Sequence, residues 1–242
     1  MSARIKTGMV LAAGFGTRMR PLTDTKPKPL IPLMGEPLID WCMDRMRDHG
    51  TEKVVVNAHY LADQLQDHFH LDPMVTMVHE TEILETGGGV LNALPELGED
   101  PFFVANSDVV WLEGPSPAMK RLEDFWDDET MDALLLLQPT VRAFGYTGYG
   151  DYFLDPLGNA IRRSEGEVAP YLFTGLRIVH PRLFDGEQPG AFSMLRLFDK
   201  AEAEGRLKAV VHDGEWYHLG TPEALDEAED IIRRGQTRSN TR

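Results

Sequence analysis

Short apolar runs alternate along the chain with segments whose apolar positions recur at helical spacing. Residues 7–13 (TGMVLAA) form an apolar run stopped by Gly14, the pattern of a buried strand entering a loop. In 37–49, Leu38, Trp41, Cys42, Arg45 and Met46 follow helical spacing with a proline in the first turn, and 53–57 (KVVVN) is the next strand. The order repeats, with a helix at 61–69, a strand at 75–79, a helix from about 88 to 94 and a strand at 102–106. Ser116 is expected to cap a helix opening at Pro117 that carries Met119, Leu122, Phe125 and Trp126 on one face, before a strand at 133–138. Alternation of this kind predicts an α/β fold whose mostly parallel sheet is covered on both faces.

After about Thr140 the spacing changes. Residues 149–154, 160–163 and 172–179 read as short strands separated by Gly, Asp-Pro and Gly-Asn turns, which predicts a β-rich lid or subdomain. Ser193 then caps a helix through about Glu204, 207–212 is a strand, and Thr221-Pro222-Glu223 opens a last helix carrying Leu225, Ala228, Ile231 and Ile232. The closing RRGQTRSNTR holds four arginines and no acid, the composition of a solvated end.

Composition narrows the function. With 42% hydrophobic and 26% charged residues, the 242-residue chain is of ordinary globular type, and its length suits one large domain. A net charge of −15 repels nucleic-acid phosphate unless basic residues are gathered locally, so a general nucleic-acid binder is not expected. The single cysteine, Cys42, excludes an internal disulfide framework and a cysteine-rich zinc site. No apolar run approaches the roughly 20 residues of a membrane helix, and no basic-then-apolar leader precedes the first strand; a cytoplasmic protein without a membrane partner is expected.

The gathered basic residues are in 11–33, LAAGFGTRMRPLTDTKPKPLIPL. A glycine loop leaving the carboxyl end of the first strand lets backbone N–H groups approach a phosphate, and Gly14 and Gly16 suit that task. The loop is neither a P-loop nor a GxGxxG, because Met19 stands at the third glycine position. Arg18, Arg20, Lys26 and Lys28 follow directly, with Lys28 between prolines that stiffen its backbone. A plain turn with solvated cations is the alternative for the two glycines alone; the whole string predicts an anionic substrate. Further on, 85–89 (ETGGG) sets a helix cap before three glycines, a poor choice for helix stability and a good one for backbone approach to a flat base. Asp108 ends an apolar strand and should project at the sheet edge, where a carboxylate suits Mg²⁺.

The 11–33 string resembles the signature of the sugar-nucleotide pyrophosphorylases, the nucleotidyltransferases that join a nucleoside triphosphate to a sugar 1-phosphate. The similarity continues through ETGGGVLNAL at 85–94, FFVANSD at 102–108, GYGDYFLD at 148–155, FTGLRIVHPRLF at 173–184 and EWYHLGTPEAL at 215–225. Within that family it is strongest to the short bacterial uridylyltransferases acting on N-acetylmuramate 1-phosphate in cell-wall recycling. The resemblance implies a Rossmann-like three-layer α/β sandwich forming one domain over 1–234. That domain has a nucleotide-binding half to about 140, a small β-rich sugar-binding part to about 190 and closing helices, followed by a flexible tail at 235–242. It also implies that Leu11, Ala12, Ala13, Gly14, Gly16, Thr17, Arg18 and Lys28, with Glu85, Gly87 and Gly88 against the base, bind the nucleotide. Asn106, Asp151, Glu167 and Gly175 would then face the sugar, and Asp108 would hold Mg²⁺.

The implied reaction is in-line attack by a sugar 1-phosphate oxygen on the α-phosphorus, expelling pyrophosphate, with Arg18, Lys28 and Asp108 as the catalytic set. One position departs from the pattern. Relatives usually carry a second metal-binding aspartate where this chain has His218. Either Asp108 and the triphosphate hold the metal with water, or His218 hydrogen-bonds a phosphate, or the preference moves toward Mn²⁺, since imidazole favours softer ions. Glucose or mannose 1-phosphate, a phosphocholine-like acceptor, and a catalytically silent nucleotide sensor stay open beside this reading.

Overall fold

The computed structural model describes residues 4–239, with side chains through residue 234. In chain order the elements are β1 (Thr7–Leu11), β2 (Pro32–Leu33), β3 (Glu36–Pro37), α1 (Leu38–His49), β4 (Lys53–Ala58), α2 (Ala62–Phe69), β5 (Val75–His79), α3 (Glu85–Leu97), β6 (Phe102–Asn106) and β7 (Val109–Leu112). They continue with α4 (Ala118–Phe125), β8 (Ala133–Pro139), β9 (Ala143–Phe144), β10 (Tyr152–Leu154), β11 (Ala160–Arg162), β12 (Tyr171–Val179), α5 (Leu195–Ala203), β13 (Leu207–Val211), β14 (Glu215–His218) and α6 (Pro222–Ser239). Of the tail expected at 235–242, residues 235–239 continue α6, and residues 240–242 lie outside the described residues.

Period-two burial builds the layers. Val10, Val54, Val56 and Phe103 pack with α1, α2 and α4 on one face of the large sheet, while Met9, Val55 and Val104 pack with α3 and α5 on the other. The result is the expected three-layer sandwich. Strands β6, β1, β4 and β5 run parallel, and β12 joins them antiparallel to β6 and β8, with β13 parallel to β8 at that side. A register shift between Phe173 and Arg177 marks an irregularity in β12, and β10 and β11 extend its first half into the predicted β-rich part. A third cluster, which includes Met19, Leu33, Tyr217 and Leu225, clamps the 19–33 segment between the small β7-β14-β9 sheet and α6.

Several local expectations are corrected. Helix α3 opens at Glu85, so its three glycines lie inside the first turns and not ahead of them. Ser116 does not cap α4: the Ala118 N–H goes to Glu113 Oε2 at 2.7 Å, and Phe125 stays 42% exposed while Met119, Leu122 and Trp126 are buried. The strand expected at 149–154 starts only at Tyr152, because Gly150 turns the chain with φ of 73°. The N-cap of α5 is Met194, with no side-chain cap; Ser193 stands one residue before it, its Oγ accepting the Leu195 N–H at 3.3 Å. Among the described residues no helix is long and apolar enough to cross a membrane.

Candidate active site

The parallel registers set Leu11, Asn57 and Asn106 level with one another, so the carboxyl ends of β1, β4 and β6 form one rim. On that rim a buried polar chain fixes the glycine loop. The Ala12 N–H donates to Asn57 Oδ1 at 2.8 Å, Asn57 Nδ2 donates to Glu80 Oε1 at 2.6 Å, and the Leu84 N–H reaches Glu80 Oε2 at 3.2 Å. Asn57 and Glu80 are both 2% exposed, so their hydrogen bonds are close to obligatory. Neither residue was expected at the site; the available signal was a polar side chain closing each of two apolar strands.

Gly16 sits at φ of 63°, its carbonyl accepting the Met19 N–H and the Thr23 hydroxyl, each at 2.9 Å. A Cβ there would lie 2.8 Å from the Lys28 Cβ, so the bare backbone is what lets Lys28 reach the rim. Nothing comes within 4 Å of the corresponding position on Gly14. Met19, at the third glycine position of the dinucleotide pattern, is fully buried and anchors the turn.

Leu11, Ala12, Ala13, Gly14, Gly16, Thr17, Arg18, Lys28 and Glu85 all line one cavity of 350 Å³, with Asn106 and Asp108 at its inner side. Gly87 and Gly88 are absent from this lining. Their N–H groups both go to the Phe192 carbonyl, and side chains on them would run into Phe192 and the Gly190 carbonyl oxygen. The close backbone approach expected of these glycines is therefore made by the protein's own 190–192 segment. Glu85 and Thr86 face the cavity in their place.

At the inner side Lys28 Nζ lies 2.5 Å from Asp108 Oδ2, with side-chain exposures of 11% and 34%. The four cations of the loop thus divide: Arg18 and Lys28 line the cavity, Arg20 pairs with Asp24 on the surface, and Lys26 is exposed. A second cavity of 260 Å³ adjoins the first through Arg18, Lys28, Asn106 and Asp108, and brings Asp151, Gly175 and His218 to the same space. His218 arrives there because β14 pairs it with Val109, the neighbour of Asp108. Burial, reinforced by the Arg18 and Lys28 charges, lowers the His218 pKa, so its imidazole is neutral with a lone pair to offer. Among the described residues no group of three or more His, Cys, Asp or Glu side chains converges. The donor set is one carboxylate and one imidazole, which fits a divalent ion that draws its remaining ligands from phosphates and water.

A third cavity of 530 Å³ continues beside β12, lined by Asn106, Asp151, Phe173 and Arg177 among others. Asp151 Oδ2 accepts the Phe173 N–H at 2.9 Å, leaving its other oxygen for a ligand. Gly175, at φ of 93°, sits under Asn106, where a Cβ would lie 3.0 Å from Asn106 Nδ2 and 2.6 Å from Val109 Cγ2. Glu167 does not come to the site. It is exposed, its Oε2 accepts the Ser164 N–H at 2.7 Å, and it lines none of the three cavities. Arg163 and Arg177 do line the third cavity, and no motif or spacing in the chain singles them out.

The nucleotidyl transferase family model matches residues 7–153. The chain is similar to the N-acetylmuramate alpha-1-phosphate uridylyltransferase of Caulobacter vibrioides, with 41% identity over 236 residues, covering 95% of this chain and 98% of the relative. The enzyme of the same description from Neisseria meningitidis is 33% identical over 229 residues, covering 92% and 96%. In structure, UDP-glucose pyrophosphorylase complexed with UDP-glucose superposes with a TM-score of 0.76 at 18% identity, covering 96% of this chain and 99% of the other.

Proposed function

The chain belongs to the nucleotidyl transferase family, as a sugar-1-phosphate nucleotidyltransferase, and we propose that it transfers UMP from UTP to N-acetylmuramate 1-phosphate, releasing pyrophosphate, in the cytoplasmic recycling of cell-wall sugar. The observation that carries this reading is the cationic junction: Arg18 and Lys28 stand where a loop-lined cavity meets a second space reaching Asp151 and Gly175. A nucleotide on the loop and a sugar beside β12 would meet through their phosphates at that junction. End-to-end similarity to two N-acetylmuramate alpha-1-phosphate uridylyltransferases supports the choice of UTP and of the acceptor.

The acceptor is already nucleophilic as a phosphate monoester, so the transfer needs no general base. An acceptor oxygen forms the new bond to the α-phosphorus as the bond to the β-phosphate oxygen breaks, and the leaving pyrophosphate takes the electron pair. Positioning and charge neutralisation then carry the catalysis. Lys28, aimed by the Asp108 carboxylate and by the turn at Gly16, braces the α-phosphate, and Arg18 neutralises the departing pyrophosphate. Asp108 and His218 are the side chains that would hold a divalent ion, Mg²⁺ or Mn²⁺, which when bound adds positive charge to the phosphate oxygens.

Pyrophosphate release from the purified protein, measured for four nucleoside triphosphates against a panel of sugar 1-phosphates in Mg²⁺ and separately in Mn²⁺, tests the reading. Release is expected with UTP and N-acetylmuramate 1-phosphate. Preference for another pair reassigns the substrates, and silence in every combination with nucleotide still bound makes the protein a sensor.

A further inference from the structure

The third cavity is lined by Arg162, Arg163 and Arg177 together with Asp151 and Glu165, and among the described residues neither of these carboxylates is ion-paired with an arginine. Arg162 is accounted for by Asp199, at 2.6 Å on the outer side. Arg163 and Arg177 are not. Arg163 donates only to the carbonyls of Gly150, Ser164 and Glu167. Arg177 is 1% exposed; its Nη1 donates to Asn106 Oδ1 at 2.9 Å and to the Gly175 carbonyl at 2.8 Å, and its Cζ stands 5.5 Å from the Phe173 ring centroid. Its Nε is buried without a hydrogen-bond partner, and among the described residues no carboxylate pairs with it. Burial lowers its pKa to about 9, which leaves it charged at neutral pH.

A buried guanidinium without an anion is strongly disfavoured unless something supplies one, and the planar fork is matched to a carboxylate. The acceptor's 1-phosphate is not that anion. Its oxygen must attack the α-phosphorus that Lys28 braces, so it lies at the junction lined by Arg18 and Lys28; those two do not line this cavity, and Arg177 lines neither of theirs. Asn106 borders all three spaces, so one acceptor anchored there spans both cationic sites.

We propose that Arg177, seconded by Arg163, reads a carboxylate carried on the sugar ring, so that the site selects acidic sugar 1-phosphates. This rests on the uridylyl-transfer reading above and names the residues behind its acceptor. N-acetylmuramate bears such a carboxylate, and N-acetylglucosamine is the same ring without it.

Two measurements decide. Calorimetric binding of the two free sugars, neither carrying phosphate, to the wild-type protein should favour N-acetylmuramate by ~10-fold or more; equal affinities overturn the proposal. With UTP, the ratio of kcat/KM for N-acetylmuramate 1-phosphate over N-acetylglucosamine 1-phosphate should be ~10² in the wild type, a site built for a polar group rejecting the analogue that lacks it. Arg177→Gln should bring that ratio toward unity, and Arg163→Gln should lower it as well. A folded Arg177→Gln protein that keeps the full ratio overturns the proposal; should that variant fail to fold, the wild-type binding comparison and Arg163→Gln decide in its place. A wild type that releases no pyrophosphate with either acceptor defeats the transfer reading, while the binding comparison still judges the carboxylate site.

Discussion

Lys28 and Asp108 come from segments 80 positions apart and meet at 2.5 Å at the junction of two cavities. The lysine is nearly enclosed while the aspartate is a third exposed, so removing the ammonium leaves a carboxylate that water can still reach. Lys28→Ala is therefore expected to fold and to slow turnover by ~10²-fold or more, the loss seen when one preorganised charge is withdrawn. Pyrophosphate release together with a thermal melt checks both halves, and near-normal turnover in a folded variant would remove Lys28 from the catalytic set. At position 218 the neutral imidazole is a weak partner for Mg²⁺. His218→Asp should lower the Mg²⁺ concentration for half-maximal turnover by ~10-fold, and any advantage of Mn²⁺ over Mg²⁺ should shrink; a metal titration that leaves both unchanged places His218 away from the ion.

Helix α3 shows how an element bends its own propensities to position a neighbour. Its glycines weaken the helix by up to about 1 kcal/mol each relative to alanine. The 190–192 segment crosses the first turn so closely that the Phe192 carbonyl accepts the Gly87 and Gly88 N–H groups at 2.8 and 3.1 Å, and a Cβ on either would collide with that segment. A Cβ on Gly89 would lie 2.9 Å from Asn57 Nδ2 and from Glu80 Oε1. Gly88→Ala gains helix propensity and loses more, since its methyl would run into the Gly190 carbonyl; net destabilisation of ~1–3 kcal/mol is expected from forced overpacking. Denaturant unfolding measures it, and a variant as stable as the wild type would show that the crossing segment yields freely. The same crossing ties Thr86 to α5, through the Met194 N–H at 2.9 Å, so the wall shared by the first and third cavities is built by two elements remote in sequence.

Across the whole molecule, four histidines are held below the usual histidine value of 6.5. His49, His180, His212 and His218 all owe the shift first to burial. His212 is fully enclosed with Nε2 between the Leu112 and Glu215 carbonyls at 3.1 and 3.3 Å, so Nε2 carries the hydrogen of a neutral ring. Above about pH 6.5 folded and unfolded chains bind the same protons at these sites; below it the unfolded chain takes up protons that the folded one refuses, and stability falls. Asp132 adds a second loss further down: burial pushes its carboxyl up, but the Arg206 and Arg182 hydrogen bonds outweigh that and hold it below its usual 3.8. The denaturant midpoint should therefore drop between pH 7.5 and 5.5, and a midpoint that rises would contradict the burial of these rings. The sequence by itself determined the order of the longer strands and helices and most of the faces they bury, because period-two and period-3.6 patterns are local and burial follows them; the short strands β2, β3, β7, β9 and β14 were not legible in it. It also disclosed the loop from Leu11 to Lys28, whose chemistry is contiguous, and Asp108 at a strand end. Only the tertiary structure decided that Asn57 and Glu80 brace that loop, that Gly87 and Gly88 serve packing, and that Glu167 merely closes a turn. It alone brought Arg177 to Asn106 across 71 positions without a carboxylate. Each of these depends on which distant backbone arrives within hydrogen-bond reach, a quantity set by packing whole elements together and carried by no single stretch of residues.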